Sequence, residues 1–315
     1  MNGKGDESKS VDVPTVLYIG GAGRSGSTLL ELLLGEVQGV FAAGEVTHLW
    51  NRGVRQNQLC GCQKPFEACE FWSAVRRARP RLFEHPDRMS QLRDDVCALH
   101  RLPQLRWTTL RSDRFEQKVQ RYGDALVELY RAISEVSGSS VIIDSSKYPP
   151  EALLSSRRDD LHLVVAHLVR DSRAVAQSWT RHKVRPEIHW EEAFMPRYPP
   201  AQTAVAWNAF NLFFERLAGG DTPTTRVRYE DLITDPNPVL ESVTRMVDSA
   251  PIDAGKPGDE ITLSVNHTVS GNPTRFHDGS ITLYHDEKWR RQMNRPSRAL
   301  VTAITWPLLR RYGYV

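Results

Sequence analysis

A glycine-rich turn near the start of the chain carries its clearest potential for chemistry. Residues 20–28 read GGAGRSGST and lie between an apolar run, residues 16–19, and a leucine-rich run, residues 29–34. This order predicts a strand, a tight loop and the first turn of a helix. Backbone N–H groups converge in such a loop, and the helix N-terminus adds roughly half a positive charge. The pattern therefore predicts a site for a phosphate-like anion, with a nucleotide as the default ligand.

The loop fits two nucleotide-binding patterns incompletely. Residues 21–28 approach the ATP-binding pattern G-x-x-x-x-G-K-[ST], but Ser27 stands where the lysine belongs. The same residues satisfy G-x-G-x-x-G, and Glu45 lies 19 residues after the last of these glycines. A small-molecule kinase that uses ATP and Mg²⁺, a dinucleotide-dependent dehydrogenase and a non-catalytic binding module therefore stay open. A purely structural turn is disfavoured because it would not need the polar donors of Arg24, Ser25, Ser27 and Thr28.

Strands and helices alternate along the rest of the chain, and the strands lack a polar face. Alternation of this kind predicts one α/β domain around a parallel sheet that is covered on both sides. The predicted strands cover residues 16–19, 40–42, 141–143, 161–169 and 225–229; the predicted helices begin at Leu29 and Ala174, cover 201–217, and run for about 20 residues from Phe115 to an end at Gly138.

Polar segments follow several of these strands directly. Ligands of parallel sheets bind at the carboxyl ends of the strands. The glycine-rich loop, Glu45, residues 144–147 and residues 170–172 are therefore expected to share one cleft.

Together these segments resemble the sulfotransferases that use 3′-phosphoadenosine 5′-phosphosulfate (PAPS), and the resemblance spans most of residues 15–295. It implies an α/β three-layer sandwich with a central parallel sheet, the P-loop NTPase-like sulfotransferase fold. It also implies that Arg170 and Ser178 hold the 3′-phosphate of the donor and of the product, adenosine 3′,5′-bisphosphate (PAP). By the same resemblance the lysine-free loop cradles the 5′-phosphosulfate, through Gly23, Arg24, Ser25, Gly26, Ser27 and Thr28.

The resemblance also implies three catalytic residues. Glu45, after Gly44, is similar to the catalytic glutamate of the tyrosyl-protein and carbohydrate branches; such a base is effective if partial burial raises its pKa. His48, one turn away, is the alternative base. Lys147 matches a lysine that contacts the bridging oxygen, and Arg24 would stabilise the transferring group.

Two further segments resemble the family more weakly. Residues 267–276 are similar to a late loop that folds over the nucleotide, with Arg275 as a second 3′-phosphate ligand. Lys288 and Trp289 are candidates to close over the adenine, although a core position is the more common one for such a tryptophan. Asp144 would be the metal-holding aspartate in the kinase alternative, but the missing loop lysine argues against that alternative.

Composition limits the remaining classes of function. The 41 basic and 38 acidic residues leave a net charge of +3 without long runs, so neither a nucleic-acid partner nor stable membrane insertion is expected. We expect a polar, disordered tail over residues 1–12, one domain over 13–315 and a cytoplasmic location. The expected partner is a hydroxyl acceptor, either a small molecule or of the glycolipid type.

Three of the four cysteines are clustered, at Cys60, Cys62 and Cys69. Neither a Cys-x-x-Cys pair nor a His-x-x-x-His pair accompanies them. The spacing therefore favours buried or loosely paired thiols over a zinc site. The predicted transfer reaction is metal-independent.

Overall fold

The structure is a computed structural model that describes residues 13–255, 258–284 and 287–315. The tail predicted over residues 1–12 lies outside the described residues. No helix in the described part of the chain is both long and apolar enough to cross a membrane.

Five parallel strands form the central sheet, in the order β2-β3-β1-β4-β5. The apolar runs of the sequence form these strands, and both faces of β1 are buried because its residues alternate between two cores. Val16 and Tyr18 face one core, and Leu17 and Ile19 face the other. The strands are β1 (Thr15–Gly21), β2 (Val40–Ala42), β3 (Val141–Lys147), β4 (His162–Val169) and β5 (Thr224–Arg228).

Helices cover both faces of the sheet, which confirms the α/β three-layer arrangement. They are α1 (Ser27–Gly35), α2 (Glu70–Ala78), α3 (Pro86–Cys97), α4 (Leu102–Arg106), α5 (Asp113–Ser137), α6 (Pro149–Ser155), α7 (Ser172–Thr180), α8 (Pro200–Ala218), α9 (Tyr229–Thr234), α10 (Pro236–Thr244), α11 (Lys288–Gln292) and α12 (Arg295–Arg311). An antiparallel pair, β6 (Glu260–Leu263) and β7 (Gly279–Thr282), lies outside the main sheet.

The long helix α5 follows its sequence signals closely. Ser112 caps its N-terminus by accepting a hydrogen bond from the amide of Phe115, and Gly138 ends it with a φ of 69°. A positive φ of this kind costs glycine little, which explains its place at the helix end. The predicted amphipathic helix is confirmed and is 25 residues long.

The order of the strands contradicts the dehydrogenase alternative. Strand β1 pairs with β3 on one side and with β4 on the other, and β2 lies at the edge of the sheet beside β3. In a dinucleotide-binding fold the second strand is the neighbour of the first. The G-x-G-x-x-G pattern is therefore an accident of the loop's glycine content.

Candidate active site

A cleft of about 1030 Å³ opens at the carboxyl ends of the parallel strands. The four segments expected to meet there do contribute to it. Of the predicted site residues, those that line the cleft are Gly23, Arg24, Gly26, Ser27, Thr28, Glu45, Lys147, Arg170 and Ser178.

The glycine-rich loop forms the floor of the cleft between β1 and α1. Gly26 has a φ of 99°, and a Cβ atom there would lie 2.3 Å from the Tyr229 ring, so a side chain is excluded by conformation and by space. Arg24 also has a positive φ, of 70°, which turns its side chain into the cleft. Ser25 points away: its side chain is buried, and its hydroxyl has no hydrogen-bond partner in the structure.

The cleft is strongly cationic. Glu45 is the single carboxylate among the described residues that line it. Such an imbalance favours the binding of an anion, because like charges in a partly desolvated cleft repel one another. The basic residues on its walls are Arg24, Arg52, Lys147, Arg170, Arg181, Lys183 and Arg185.

Arg170 leaves β4 with its guanidinium directed into this cleft. One guanidinium nitrogen donates to the Arg24 carbonyl at 3.2 Å, the group lies 4.1 Å from the Tyr229 ring centroid, and its buried Nε has no partner. Asp171 does not neutralise it, since that carboxylate caps α7 and binds Arg173 through both oxygens. Arg170 therefore keeps donor capacity for an anion, as does Arg24, whose Nε is also unpartnered.

The ammonium of Lys147 lies at the opposite wall, 2.8 Å from Glu45 Oε1. Lys147 ends β3 with a φ of 64° and also donates to the Ser145 carbonyl. The second oxygen of Glu45 accepts a hydrogen bond from Ser270 at 3.2 Å and lies 3.6 Å from His48 Nε2. Both candidate bases and the candidate lysine thus form one cluster.

Charge controls the protonation of this cluster. Burial alone would raise the pKa of Glu45, but the neighbouring charges, led by Lys147, lower it to about 2. Burial, reinforced by Arg52, lowers the pKa of His48 to about 3, so this histidine is neutral at pH 7. The low pKa of Glu45 therefore depends on Lys147 and Arg52. In this arrangement Glu45 is a paired anion, and the raised pKa that would make it an effective base is not present.

Besides Ser25, other predicted residues do not line the cleft, and Asp144 is the first of them. Asp144 is buried, accepts hydrogen bonds from Tyr130 and Ser146, and has a pKa raised to about 7 by burial and by the charge of Glu151. A carboxyl held in this way cannot serve as the metal-holding aspartate of a kinase. Together with Ser27 in place of the loop lysine, this arrangement disfavours the kinase alternative.

Arg275 does not line the cleft either, which corrects the prediction that it binds the 3′-phosphate. Arg275 is 1% exposed within the late loop, and its guanidinium donates to the carbonyl oxygens of Thr268 and Leu59, both at 2.6 Å. Arg275 therefore links the late loop to the segment that contains Leu59, and it is not a phosphate ligand in this conformation. Lys288 and Trp289 are also absent from the described cleft lining, and Trp289 packs in a core cluster with Ala174.

Comparison with known proteins decides the family. The model of the "Sulfotransferase family" matches residues 15–250, which is most of the chain. The chain belongs to the sulfotransferase family. A comparison with curated proteins gives no match.

Two solved sulfotransferase domains share the fold. One, from the olefin synthase of Synechococcus PCC 7002, is 21% identical, with a TM-score of 0.50 over 92% of this chain and 94% of that chain. The other, from the curacin biosynthetic pathway, is 18% identical, with a TM-score of 0.51 over 94% of this chain and 97% of that chain. The likeness supports the three-layer sulfotransferase fold that the sequence motifs predict.

This sulfotransferase also uses a buried carboxyl that the sequence analysis missed. Glu31, on α1, accepts hydrogen bonds from the Gly44 amide and the Ser145 hydroxyl, both at 2.7 Å, and burial raises its pKa to about 7. Glu31 thereby ties together the two strand ends that carry Glu45 and Lys147. Its only sequence signal is a carboxylate within the apolar residues 29–34.

Proposed function

We propose that the protein transfers the sulfuryl group of PAPS to a hydroxyl acceptor, with Glu45 as general base. The observation that carries this proposal is the division of the cleft into two ends. Arg170 and Ser178 follow β4, Lys147 ends β3 and Glu45 follows β2, and the glycine-rich loop after β1 lies between them because β1 lies between β3 and β4. A bisphosphate nucleotide with a reactive sulfate needs an anion site at both ends.

At the first end, Arg170 and Ser178 would hold the 3′-phosphate. A phosphomonoester carries close to two negative charges and is well matched by a guanidinium fork and a hydroxyl. The unpartnered Nε of Arg170 supports this role, because a buried donor without a partner is costly until a ligand satisfies it. The loop amides and the hydroxyls of Ser27 and Thr28 would hold the 5′-phosphosulfate.

At the second end, the ion pair between Lys147 and Glu45 would separate when the donor binds. Lys147 then interacts with the oxygen that bridges sulfur and phosphorus. Without that cation beside it, the burial of Glu45 raises its pKa and makes it a stronger base. Glu45 takes the acceptor's hydroxyl proton while the acceptor oxygen bonds to sulfur, the bond from sulfur to the bridging oxygen breaks, and PAP leaves.

Arg24 would stabilise the transferring group, since it lines the cleft beside the loop and lies 4.6 Å from the Trp179 ring centroid. The proposed reaction needs no metal, because cationic side chains already stand where negative charge develops.

The acceptor side of the cleft has an aromatic wall. Tyr148 follows Lys147 directly, and the Phe210 ring packs against it edge-on at a centroid distance of 6.5 Å. Such a wall favours an acceptor with an apolar part next to its hydroxyl, either a small molecule or a glycolipid-type precursor. The two structural neighbours come from an olefin synthase and a biosynthetic pathway, which is consistent with a metabolite as acceptor.

We place this activity in the cytoplasm, in a single domain that spans residues 13–315. The four cysteines are free in the structure, as expected in a reducing compartment.

Thermal unfolding with four ligands at equal concentration tests the donor. A ligand that binds the native state raises Tm according to its concentration relative to its Kd. We expect PAP to raise Tm far more than adenosine 5′-phosphate, ATP with Mg²⁺ or NAD. A shift with ATP and Mg²⁺ alone, or with NAD alone, would reject the proposal.

Transfer is then measured with ³⁵S-labelled PAPS and a panel of hydroxyl acceptors. Label in an acceptor that depends on Glu45 supports the enzyme. Binding of PAP without transfer to any acceptor would instead support a non-catalytic binding module.

A further inference from the structure

A histidine from a distant part of the chain lies beside the clustered cysteines Cys60, Cys62 and Cys69. His267 lies in the loop after β6, and its Nδ1 is 3.3 Å from the Cys69 sulfur and 4.0 Å from the Cys60 sulfur. One ligand atom from each of Cys60, Cys62, Cys69 and His267 lies within 4.8 Å of the others. All three cysteines are free thiols in the structure.

We propose that these four residues, the Cys3His cluster, bind a structural Zn²⁺ ion. Zinc prefers a tetrahedron of thiolate and imidazole ligands, with Zn–S near 2.3 Å and Zn–N near 2.0 Å. The edges of such a tetrahedron are about 3.5 to 3.8 Å. The observed distances of 3.3 and 4.0 Å bracket that range, so small side-chain movements suffice to close the site.

The backbone around the cysteines has the form of a metal-binding turn. The Cys60 amide donates to the Lys64 carbonyl at 2.9 Å, and the Gln63 amide donates to the Cys60 carbonyl at 2.8 Å. These two bonds close a turn over residues 60–64, which brings Cys60 and Cys62 close together.

The histidine is oriented by two aromatic neighbours. The Phe71 ring stacks on the imidazole at a centroid distance of 5.3 Å, and Trp72 Nε1 donates to the His267 carbonyl at 2.8 Å. Both tryptophan and phenylalanine belong to α2, whose N-terminal cap is Cys69. One helix thus positions a thiol ligand and the imidazole ligand together, as expected for a preformed site.

Zinc binding would release three thiol protons to solvent and leave three thiolates, an imidazole and Zn²⁺, with a net charge of −1. Arg275 supplies a compensating charge. It binds the carbonyls of Leu59 and Thr268, which immediately precede Cys60 and follow His267. The metal site therefore accounts for a buried arginine that the nucleotide cleft does not use.

The site would also fix the late loop against the catalytic cluster. Three residues after His267, the Ser270 hydroxyl binds Glu45, and the Val269 carbonyl accepts from the Glu45 amide at 2.7 Å. The proposal concerns metal content and stability, so its test does not depend on whether the protein transfers a sulfuryl group.

The first test uses the intact wild-type chain, purified under reducing conditions from zinc-supplemented medium and dialysed. Metal analysis should find about one zinc per chain, as a closed four-ligand site requires. Replacement by Co²⁺ should give the intense visible bands of tetrahedral cobalt and a thiolate-to-cobalt charge-transfer band. Less than a tenth of an equivalent of zinc, roughly, together with cobalt spectra of octahedral type, would overturn the proposal.

Variants then assign the ligands. Cys62→Ser and His267→Asn should each lose most of the bound zinc and the corresponding cobalt bands. Cys97→Ser, the matched control, changes a buried cysteine outside the cluster and should keep the wild-type ratio of about one. Equal zinc content in Cys62→Ser and the wild type, or a disulfide among the three cysteines in the reduced protein, would contradict the assignment. Should a ligand variant fail to fold, the wild-type cobalt spectrum still decides.

Discussion

Lys147 and Glu45 form a partly buried ion pair, with the ammonium nitrogen 2.8 Å from one carboxylate oxygen and about one seventh of each side chain exposed. They reach each other from two strand ends, and both line a cleft whose other charged walls are cationic. The pair holds the proposed base as an anion until an anionic ligand competes for the lysine. It thereby links occupancy of the donor site to the basicity of Glu45.

Glu45→Gln should lower kcat by about 10²- to 10⁴-fold, because the amide cannot take the acceptor's proton. The amide keeps the size and one hydrogen-bond acceptor of the carboxylate, so PAP should still raise Tm. Transfer of ³⁵S label and thermal unfolding measure the two effects. Glu84→Gln, at an exposed position, is the control and should leave both unchanged.

His48→Asn separates the two candidate bases. If Glu45 is the base, this variant should retain kcat within about tenfold, since the neutral His48 only adjoins the carboxylate. A collapse of kcat in His48→Asn with near-normal activity in Glu45→Gln would reverse the assignment.

Lys147→Met should change the pH dependence of stability. Because Lys147 keeps the folded-state pKa of Glu45 near 2, against an ordinary value of 4.5, the ionised carboxylate stabilises the native state above pH 4.5. That contribution is lost as the pH falls from 4.5 to 2. The wild type should therefore exceed Lys147→Met in free energy of unfolding at pH 6, and the gap should narrow toward pH 2.

Urea denaturation at several pH values measures this gap. A difference between the two proteins that stays constant from pH 6 to pH 2.5 would show that Lys147 does not set the pKa of Glu45. Lys147→Arg, which keeps the charge, is the matched control and should retain most of the pH dependence.

The sequence was sufficient to locate the cleft because its residues lie directly after strands. Arg24, Lys147 and Arg170 each follow an apolar run, and the rule that ligands bind at the carboxyl ends of parallel strands brings them together. The three-layer fold was predictable for the same reason, since uninterrupted apolar strands require cover on both faces.

Contacts between distant segments could not be predicted in this way. His267 meets Cys69 across 198 residues, and Ser145 meets Glu31 across 114 residues. Periodicity describes one element at a time and does not say which loops pack together. Arg275 shows the same limit: resemblance to the family's late loop implied a 3′-phosphate ligand, but the packing turns its guanidinium toward two carbonyls.

Arg170→Ala should abolish the preference for a 3′-phosphate. Loss of a charge-assisted hydrogen bond costs about 1.5 to 3 kcal/mol, so the affinity for PAP should fall about 10- to 100-fold while that for adenosine 5′-phosphate changes little. Isothermal titration with both nucleotides measures this ratio. Arg216→Ala, on the exposed side of α8, is the control for loss of charge. An equal loss for both nucleotides would place Arg170 elsewhere in the site.

Gly44→Ala should destabilise the protein and weaken catalysis together. Gly44 has a φ of 88°, and a Cβ atom would lie 2.3 Å from the amide nitrogen and the carbonyl oxygen of Val269, which bind the chain on either side of it. Relief of this clash must move the late loop away from Glu45. We expect a loss of about 3 kcal/mol or more in the free energy of unfolding.

Gly138→Ala is the control that distinguishes the cost of a left-handed backbone conformation from the cost of a steric clash. Gly138 has a similar φ of 69°, but a Cβ atom there meets nothing within 4 Å. This variant should lose only the cost of the left-handed conformation, about 1 to 2 kcal/mol, and keep full activity. If urea denaturation gave equal losses for the two variants, the backbone conformation alone would explain Gly44. The approach of the late loop would then not be what holds Glu45 in place.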